Sequence, residues 1–409
     1  MSRVLLVCPE PLARGRRAGI GIRFVEIARV LRADGHEVRV LSPDGGELEG
    51  CAAAAVASPE ALAAWTGSAD VAIVQGHIAN DFFAHGRRLP TVVDLYDPYI
   101  VENLHYYASR GPEVFNHDHA TLLRSLAGGD LFLCASQAQR LFYLGMLMAI
   151  GRLNPLVFER DPRAETLVRV APFGVLPPRE RVPADLAAPA ILFGGIYDWY
   201  DPVLAIEAIR IARETIPNLT LTFTTHPNAD LTPQGKTAEA MSHVRRHGPM
   251  EFIRFVPWVA YEDRTAFFDR FALALLTFPQ SLETDLAMRT RVYDYLWAGL
   301  PIVTSSAPGT DEILRAYDAG TVVAGSTPDA LAKALVAILQ NRTRYDQMLA
   351  GTRRFAAEHQ WEDALLPLRN FCREPRIDPE RDRFTSVTTI PTVQPTFLQR
   401  VRRRLGALT

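Results

Sequence analysis

Lysine is nearly missing from this chain. Lys236 and Lys333 are the only two among 409 residues, so almost all of its 44 basic side chains are arginine. Any anion it holds must be gripped by guanidinium forks and backbone amides rather than by ammonium groups. Cysteine is scarce as well: Cys8, Cys51, Cys134 and Cys372 stand far apart with no C-x-x-C pairing. That excludes a zinc ribbon or a disulfide framework and predicts a reduced, cytoplasmic setting. A net charge of -2 gives no general pull toward nucleic acid. No apolar run reaches the roughly 18 residues needed to span a bilayer, and the start "MSRVLLVCPEP" is too short in its apolar part for a signal peptide. The longest apolar stretch, "RLFYLGMLMAIGRLNP", is bounded by arginines and interrupted by Gly145, and it reads as a buried helix.

What is present is an ordinary globular composition, 48% hydrophobic and 22% charged, in a chain too long for one core. "RVLLVC", "HEVRVLSP", "VAIVQG", "PTVVDLY" and "LFLCAS" are strand-like and separated by helix-like patterns, which predicts right-handed βαβ units on a parallel sheet. "VRVAPFGVLPPRERVPADLAAP" breaks this rhythm with five prolines and reads as a linker. The alternation then restarts through "AILFGG", "LTLTFTT", "IRFVPW", "FALALLTF", "PIVTSS" and "GTVVA". The expected fold is α/β, two doubly wound Rossmann-like domains over residues 1–174 and 188–365. A C-terminal extension, 366–409, follows, partly packed on the first domain. Its last residues, "FLQRVRRRLGALT", put Phe397, Val401 and Leu405 on one helical face and arginines on the others, a pattern open to peripheral membrane contact or to simple terminal packing.

Two stretches carry chemistry. "AGIGIRFVEIARVL" places Gly19 and Gly21 at the start of a helix, but a dinucleotide fingerprint needs a third glycine where Phe24 stands. The turn also comes late after the first strand, behind a loop holding Arg14, Arg16 and Arg17. It is therefore read as a helix N-terminus open to an anion. "SLETDLAMRTRVYDYLWAGLPIVTSSAPGTDEIL", Ser281 to Leu314, is a strand-loop-helix-strand unit at the carboxyl edge of the second sheet, where open α/β sheets bind ligands. There Arg289 and Arg291 can neutralise a diphosphate, and Glu283 and Asp294 can accept hydrogen bonds from hydroxyls. A solvated charged loop ahead of an amphipathic helix is the plain alternative.

"DYLWAGLPIVTSSAPGTDEIL" resembles the nucleotide-sugar segment of family 4-like (group 1) glycosyltransferases. "GIGIRFVEIARVLRADGHEVRVLSP", "VAPFGV" and "ILFGGIYDWYDPVLAIEAI" are similar to other segments of that family, in the same order. The resemblance implies the GT-B fold, with the donor bound mainly to the second domain and the acceptor to the first. Two departures stand out. The second glutamate of the family pattern is Asp294 here, with Leu286 at the position of the first, so Glu283 fills that role only across a three-residue insertion. No lysine occupies the early donor region "GGIYDWYDP", which leaves the phosphate to Arg289 and Arg291.

The implied activity is retaining, metal-independent transfer of a sugar from a nucleoside diphosphate to a hydroxyl acceptor such as a glycan, a lipid-linked glycan or a natural product. The nucleotide sugar would be a co-substrate and no cofactor is needed. Donor contacts are assigned to Gly19, Gly21, Gly194, Gly195, Tyr197, Asp198, Trp258, Thr290 and Asp294. His77, just after "VAIVQG", matches a histidine of the family's acceptor cleft and reads equally as a loop histidine. Asp97, Glu102 and His105 are the acceptor candidates. Asp94 and Asp97 look like a metal pair, and "FNHDHA" adds His117, Asp118 and His119, but no third ligand recurs at ligand spacing and no metal is expected. No Ser-His-Asp set or paired carboxylates are evident. Two alternatives keep the fold: a nucleotide-sugar epimerase or pseudoglycosyltransferase, where an epimerase should show a carboxylate pair in the cleft, and a non-catalytic binding scaffold. The oligomeric state is not legible.

Overall fold

Strands buried between two helical layers need apolar residues on both faces, so they appear as unbroken apolar runs. The computed structural model, which describes residues 1–56, 59–85, 88–226, 228, 233–248 and 250–382, places these runs in two all-parallel sheets. The first contains β1 (Arg3–Val7), β2 (Glu37–Ser42), β3 (Ala52–Ala55), β4 (Val71–Val74), β5 (Thr91–Asp94), β6 (Leu131–Cys134) and β7 (Val168–Val170), in the order β3-β2-β1-β4-β5-β6-β7. The second contains β8 (Ala190–Gly195), β9 (Thr220–Thr224), β10 (Ile253–Val256), β11 (Leu273–Leu276), β12 (Ile302–Ser305) and β13 (Gly320–Val323), in the order β10-β9-β8-β11-β12-β13.

Both sheets reverse direction beside their first strand, which is where a doubly wound sheet opens its crevice. The α/β reading and all six strands of the second sheet match the sequence expectation. In the first sheet the edge strands β3 and β7 were not expected as strands. β3 is four alanines, a residue depleted in strands, and β7 falls inside the stretch read as linker. The helix Gln137–Ala149, expected to be buried, covers the sheet with Tyr143 and Leu147 but leaves Leu141 and Met148 about 60% exposed.

Polar contacts hold the first helix in place and bind the two halves to each other. Arg23, 1% exposed on the first helix Gly19–Ala33, donates to both carboxylate oxygens of Asp94 (2.6 and 3.2 Å) and to the carbonyls of Ala171 and Pro172 (both 2.9 Å), tying that helix to β5 and to the crossing segment. Asp94 is thereby taken up in an ion pair and is no half of a metal site. The side chain of buried Gln139 donates to the carbonyls of Tyr96 (3.1 Å) and Leu286 (3.0 Å), and the Tyr96 hydroxyl donates to the Met288 carbonyl (3.0 Å), so the loop before the helix Thr290–Trp297 rests on the first half.

The chain returns to the first half after the helix Arg342–Glu358. Trp361 is fully buried against Phe173, and a Cβ at Gly174 would lie 2.5 Å from its Cα. Arg369 pairs with Asp34 at 2.6 Å, and Arg152, Asp378, Asp130 and Arg381 form a buried ion network under β6. The arginine-rich stretch Phe397–Thr409 lies outside the described residues. Among the described residues no helix is long and apolar enough to cross a membrane.

Candidate functional site

A cavity of about 360 Å3 opens between the carboxyl edges of the two sheets. Two helix N-termini meet at it: a Cβ built on Gly19 would stand 3.3 Å from Thr290 Oγ1. Gly194 sits at φ +85° beside a bulge in the β8–β9 register, and a Cβ there would strike the Tyr295 hydroxyl at 2.3 Å. That hydroxyl needs the space, because it donates to the Phe193 carbonyl at 2.8 Å. Glycine is therefore required at 194 by conformation and by contact together.

In the second half, the helix Thr290–Trp297 starts without a side-chain cap and directs Arg291 and Asp294 toward the cavity. Arg291 Nη1 donates to the carbonyls of Gly195 (2.7 Å) and Phe193 (3.3 Å), and its guanidinium lies 4.3 Å over the Tyr200 ring. Those bonds fix the arginine next to the Gly194–Gly195 turn. Arg289 is placed differently from the expectation of a free phosphate clamp. It is 6% exposed and forms a two-pronged ion pair with Glu283, Nη2 to Oε2 at 2.6 Å and Nη1 to Oε1, with its guanidinium carbon 4.7 Å from the centroid of the Phe278 ring. Glu283 is 1% exposed and is likewise committed to that pair rather than offered to hydroxyls. Burial raises the Asp294 carboxyl, and Arg264 opposes that rise.

The first half contributes carboxyl groups. Glu10, just past β1, accepts from the Gly21 amide at 2.7 Å, so the helix N-terminus read as an open anion site already holds the protein's own carboxylate. Burial raises that carboxyl to about 7 against the effect of the amide. Asp97 and Glu102 line the same cavity and share a side-chain hydrogen bond; burial raises both carboxyls, and that bond opposes the rise at Asp97 while the charge of Asp97 pushes Glu102 further up. A proton held between them is the consequence. This paired-carboxylate arrangement was not evident in the sequence, because the proline-tyrosine turn between the two residues folds them together.

Several expected contacts lie elsewhere. Arg14 bonds to Asp263 at 3.0 Å, Arg16 to Asn228 at 3.1 Å and Arg17 to Glu262, so the basic loop bridges to the second half instead of awaiting a ligand. Asp198 accepts from the Lys236 amide at 2.9 Å and does not line the cavity. His77 is exposed, 3.2 Å from Asp118 and stacked on His117, and His105 is exposed; neither lines the cavity. Tyr197, Trp258, Gly195 and Thr290 do line it.

Glu10 and Arg264 are among the cavity residues that sequence reasoning missed. Glu10 carried a usable signal, a carboxylate directly after the first strand at the carboxyl edge. Arg264 carried none in a chain so full of arginine. Among the described residues no group of three or more His, Cys, Asp or Glu side chains is placed to hold a metal ion.

Residues 189–341 match the model of the glycosyl transferases group 1 family. No curated protein matches at the sequence level. Among solved structures, sucrose-phosphate synthase from Thermosynechococcus elongatus is 13% identical, with 91% of this chain and 98% of that one covered and a TM-score of 0.61. HepE from Anabaena, in complex with UDP and glucose, is 13% identical over 91% and 100% of the two chains, TM-score 0.62. Trehalose-6-phosphate synthase OtsA is 13% identical over 92% and 100%, TM-score 0.63. Residues 189–341 thus carry a domain of the glycosyl transferases group 1 family, and the two sheets facing one cavity have the GT-B fold of these structures.

Proposed function

We propose that the cavity transfers a sugar from a nucleoside diphosphate to a hydroxyl acceptor, with retention and without a metal. The observation that carries this reading is Arg291, pinned by two carbonyls beside the Gly194–Gly195 turn at the start of an uncapped helix. In the reaction the bond from the sugar C1 to the β-phosphate oxygen breaks, the acceptor oxygen bonds to C1 on the same face, and the acceptor's proton passes to the departing phosphate. The charge that develops on that phosphate meets a fixed guanidinium and free helix amides, an arrangement that lowers the barrier because it needs no reorganisation. The relative holding UDP and glucose on the same fold supports a nucleoside diphosphate as leaving group. The family 4-like character supports retention. Asp97 is read as the acceptor of a hydrogen bond from the incoming hydroxyl, with protonated Glu102 as its support.

One observation favours a second reading. The Asp97–Glu102 pair is the kind of cleft carboxylate pair that a nucleotide-sugar epimerase or hydrolytic enzyme would use.

The test begins with thermal shifts of the full chain in UDP, GDP, ADP, dTDP and CDP, with and without EDTA. A ligand at a hundred times its dissociation constant adds about 2.7 kcal/mol to the native state. One diphosphate should raise the midpoint, EDTA should leave the rise unchanged, and Arg291→Ala should remove it. Proton NMR of turnover with the matching sugar nucleotide then separates the two readings. A new glycosidic linkage of unchanged anomeric configuration supports transfer, whereas an epimerised or free sugar without an acceptor supports the second. No shift with any diphosphate would sink the donor site.

A further inference from the structure

The donor half of the cavity holds hydrogen-bond donors with nothing to receive them. Arg264, at the start of the short helix Arg264–Phe268, lines the cavity and is 6% exposed. Its guanidinium is held between two rings, 3.5 Å from the centroid of Tyr261 and 4.7 Å from that of Trp297. The Asp294 carboxylate stands 3.6 Å from Nη2, an ion-pair distance too long for a hydrogen bond. Nε and Nη1 are buried without any partner. The indole Nε1 of Trp258, on the same cavity, is buried without a partner too.

Such groups call for an explanation, since native proteins satisfy nearly all their buried donors and an unmet one costs as much as the hydrogen bond it forgoes. A guanidinium cannot escape by losing its proton. Acceptor atoms have to come from outside the chain.

Position says which part of a ligand supplies them. Arg291 marks the phosphate end, beside the Gly194–Gly195 turn. Asp294 follows it one turn along the same helix, and Arg264 lies beyond, against Asp294. The sequence of groups runs from phosphate to nucleoside.

We propose that Arg264 is a specificity-determining residue that binds the nucleobase of the donor, its Nε and Nη1 meeting acceptor atoms on the base, with Trp258 Nε1 as a further donor. A base that presents carbonyl oxygens or ring nitrogens toward these groups is selected, because a base presenting an amino group there would leave donor facing donor. The ring sandwich serves this role by fixing the guanidinium plane before the ligand arrives. This inference rests on the reading of the cavity as a nucleotide-sugar site.

The experiment is calorimetric titration of the full chain with UDP, GDP, ADP and CDP, which share ribose and phosphates and differ only in the base. The wild type should rank the four. Arg264→Met should weaken the best of them by about ten- to hundredfold and compress the spread among the four. Trp258→Phe, which removes only the indole N–H, should compress it less, and it provides the readout should Arg264→Met fail to fold. A spread that is unchanged in the variants, whether affinity stays or falls uniformly, overturns the proposal, as does a wild type that binds all four alike. If the wild type binds none, the donor-site reading itself has failed.

Discussion

The two halves of the cavity are built from the same fold and present opposite chemistry. In each, a helix begins at the carboxyl edge of a parallel sheet and turns its amides and its positive dipole end to the cleft. In the first half the Gly21 amide is already filled by Glu10, and Asp97 and Glu102 add two more carboxyls. In the second the helix begins uncapped, and Arg291 and Arg264 face the same space. A helix N-terminus is thus not an anion site on its own account. It binds the nearest carboxylate the chain supplies, and remains open for a ligand only where the chain withholds one. On the proposed function, the first half serves protons and hydroxyls and the second serves phosphate and its nucleoside.

Carboxylates stand inside the basic half too, Asp294 beside Arg264 and Glu283 in its pair with Arg289. Glu283 and Arg289 are read as architecture, since both are buried and committed to each other. Glu283→Ala leaves a buried guanidinium without its counter-charge, and should cost about 3–5 kcal/mol of stability in denaturant unfolding, the largest effect expected here. A well-folded Glu283→Ala protein that has lost only donor binding would instead return Glu283 to the ligand site.

Arg291→Ala is next. It should lower kcat about 10²–10³-fold while the unfolding midpoint moves little, because its bonds to two carbonyls organise the site more than the fold. An equal loss on replacing an acidic residue of the first half would blur the contrast between the halves.

How much of this was legible depended on separation along the chain. Buried parallel strands are apolar runs that declare themselves within five residues, so the second sheet could be read whole. β3 could not, because four alanines at a half-exposed edge look like any loop. The same holds at the site. The arginines at the start of Thr290–Trp297 and the glycines at 19, 194 and 195 stood out as local patterns, and all of them line the cavity. What could not be read was pairing. Arg17 finds Glu262 across 245 residues, and Arg264 finds Asp294 from another element. A charged residue in a sequence advertises a charge, and only the fold tells whether that charge is still available.

Asp97→Asn separates the chemistry of the first half from simple binding. If Asp97 only receives a hydrogen bond from the acceptor hydroxyl, the acceptor KM should rise about tenfold with kcat nearly unchanged, the loss of one hydrogen bond. A fall of 10²–10⁴ in kcat would mark it as a general base and favour the epimerase-like reading.

Glu10 offers the most direct view of the filled helix end. Its carboxyl is raised from 4.5 to about 7 because burial penalises the charged form more than the Gly21 amide relieves it. The folded protein therefore holds this proton more tightly than the unfolded chain does. Below about pH 4.5 the group is protonated in both states and costs nothing. As pH rises toward 7 the unfolded chain ionises freely while the folded one resists, so stability falls across that window and levels off above it. Glu10→Gln keeps an oxygen on the Gly21 amide without a charge, and should flatten this part of the stability-against-pH curve while leaving the plateau below pH 4.5 in place. Chemical denaturation at four or five pH values between 4 and 8 measures the slope. A wild-type curve that rises from pH 4.5 to 7 and becomes flat in Glu10→Gln would mean that the helix dipole outweighs burial, and that the first half, like the second, is tuned to hold negative charge.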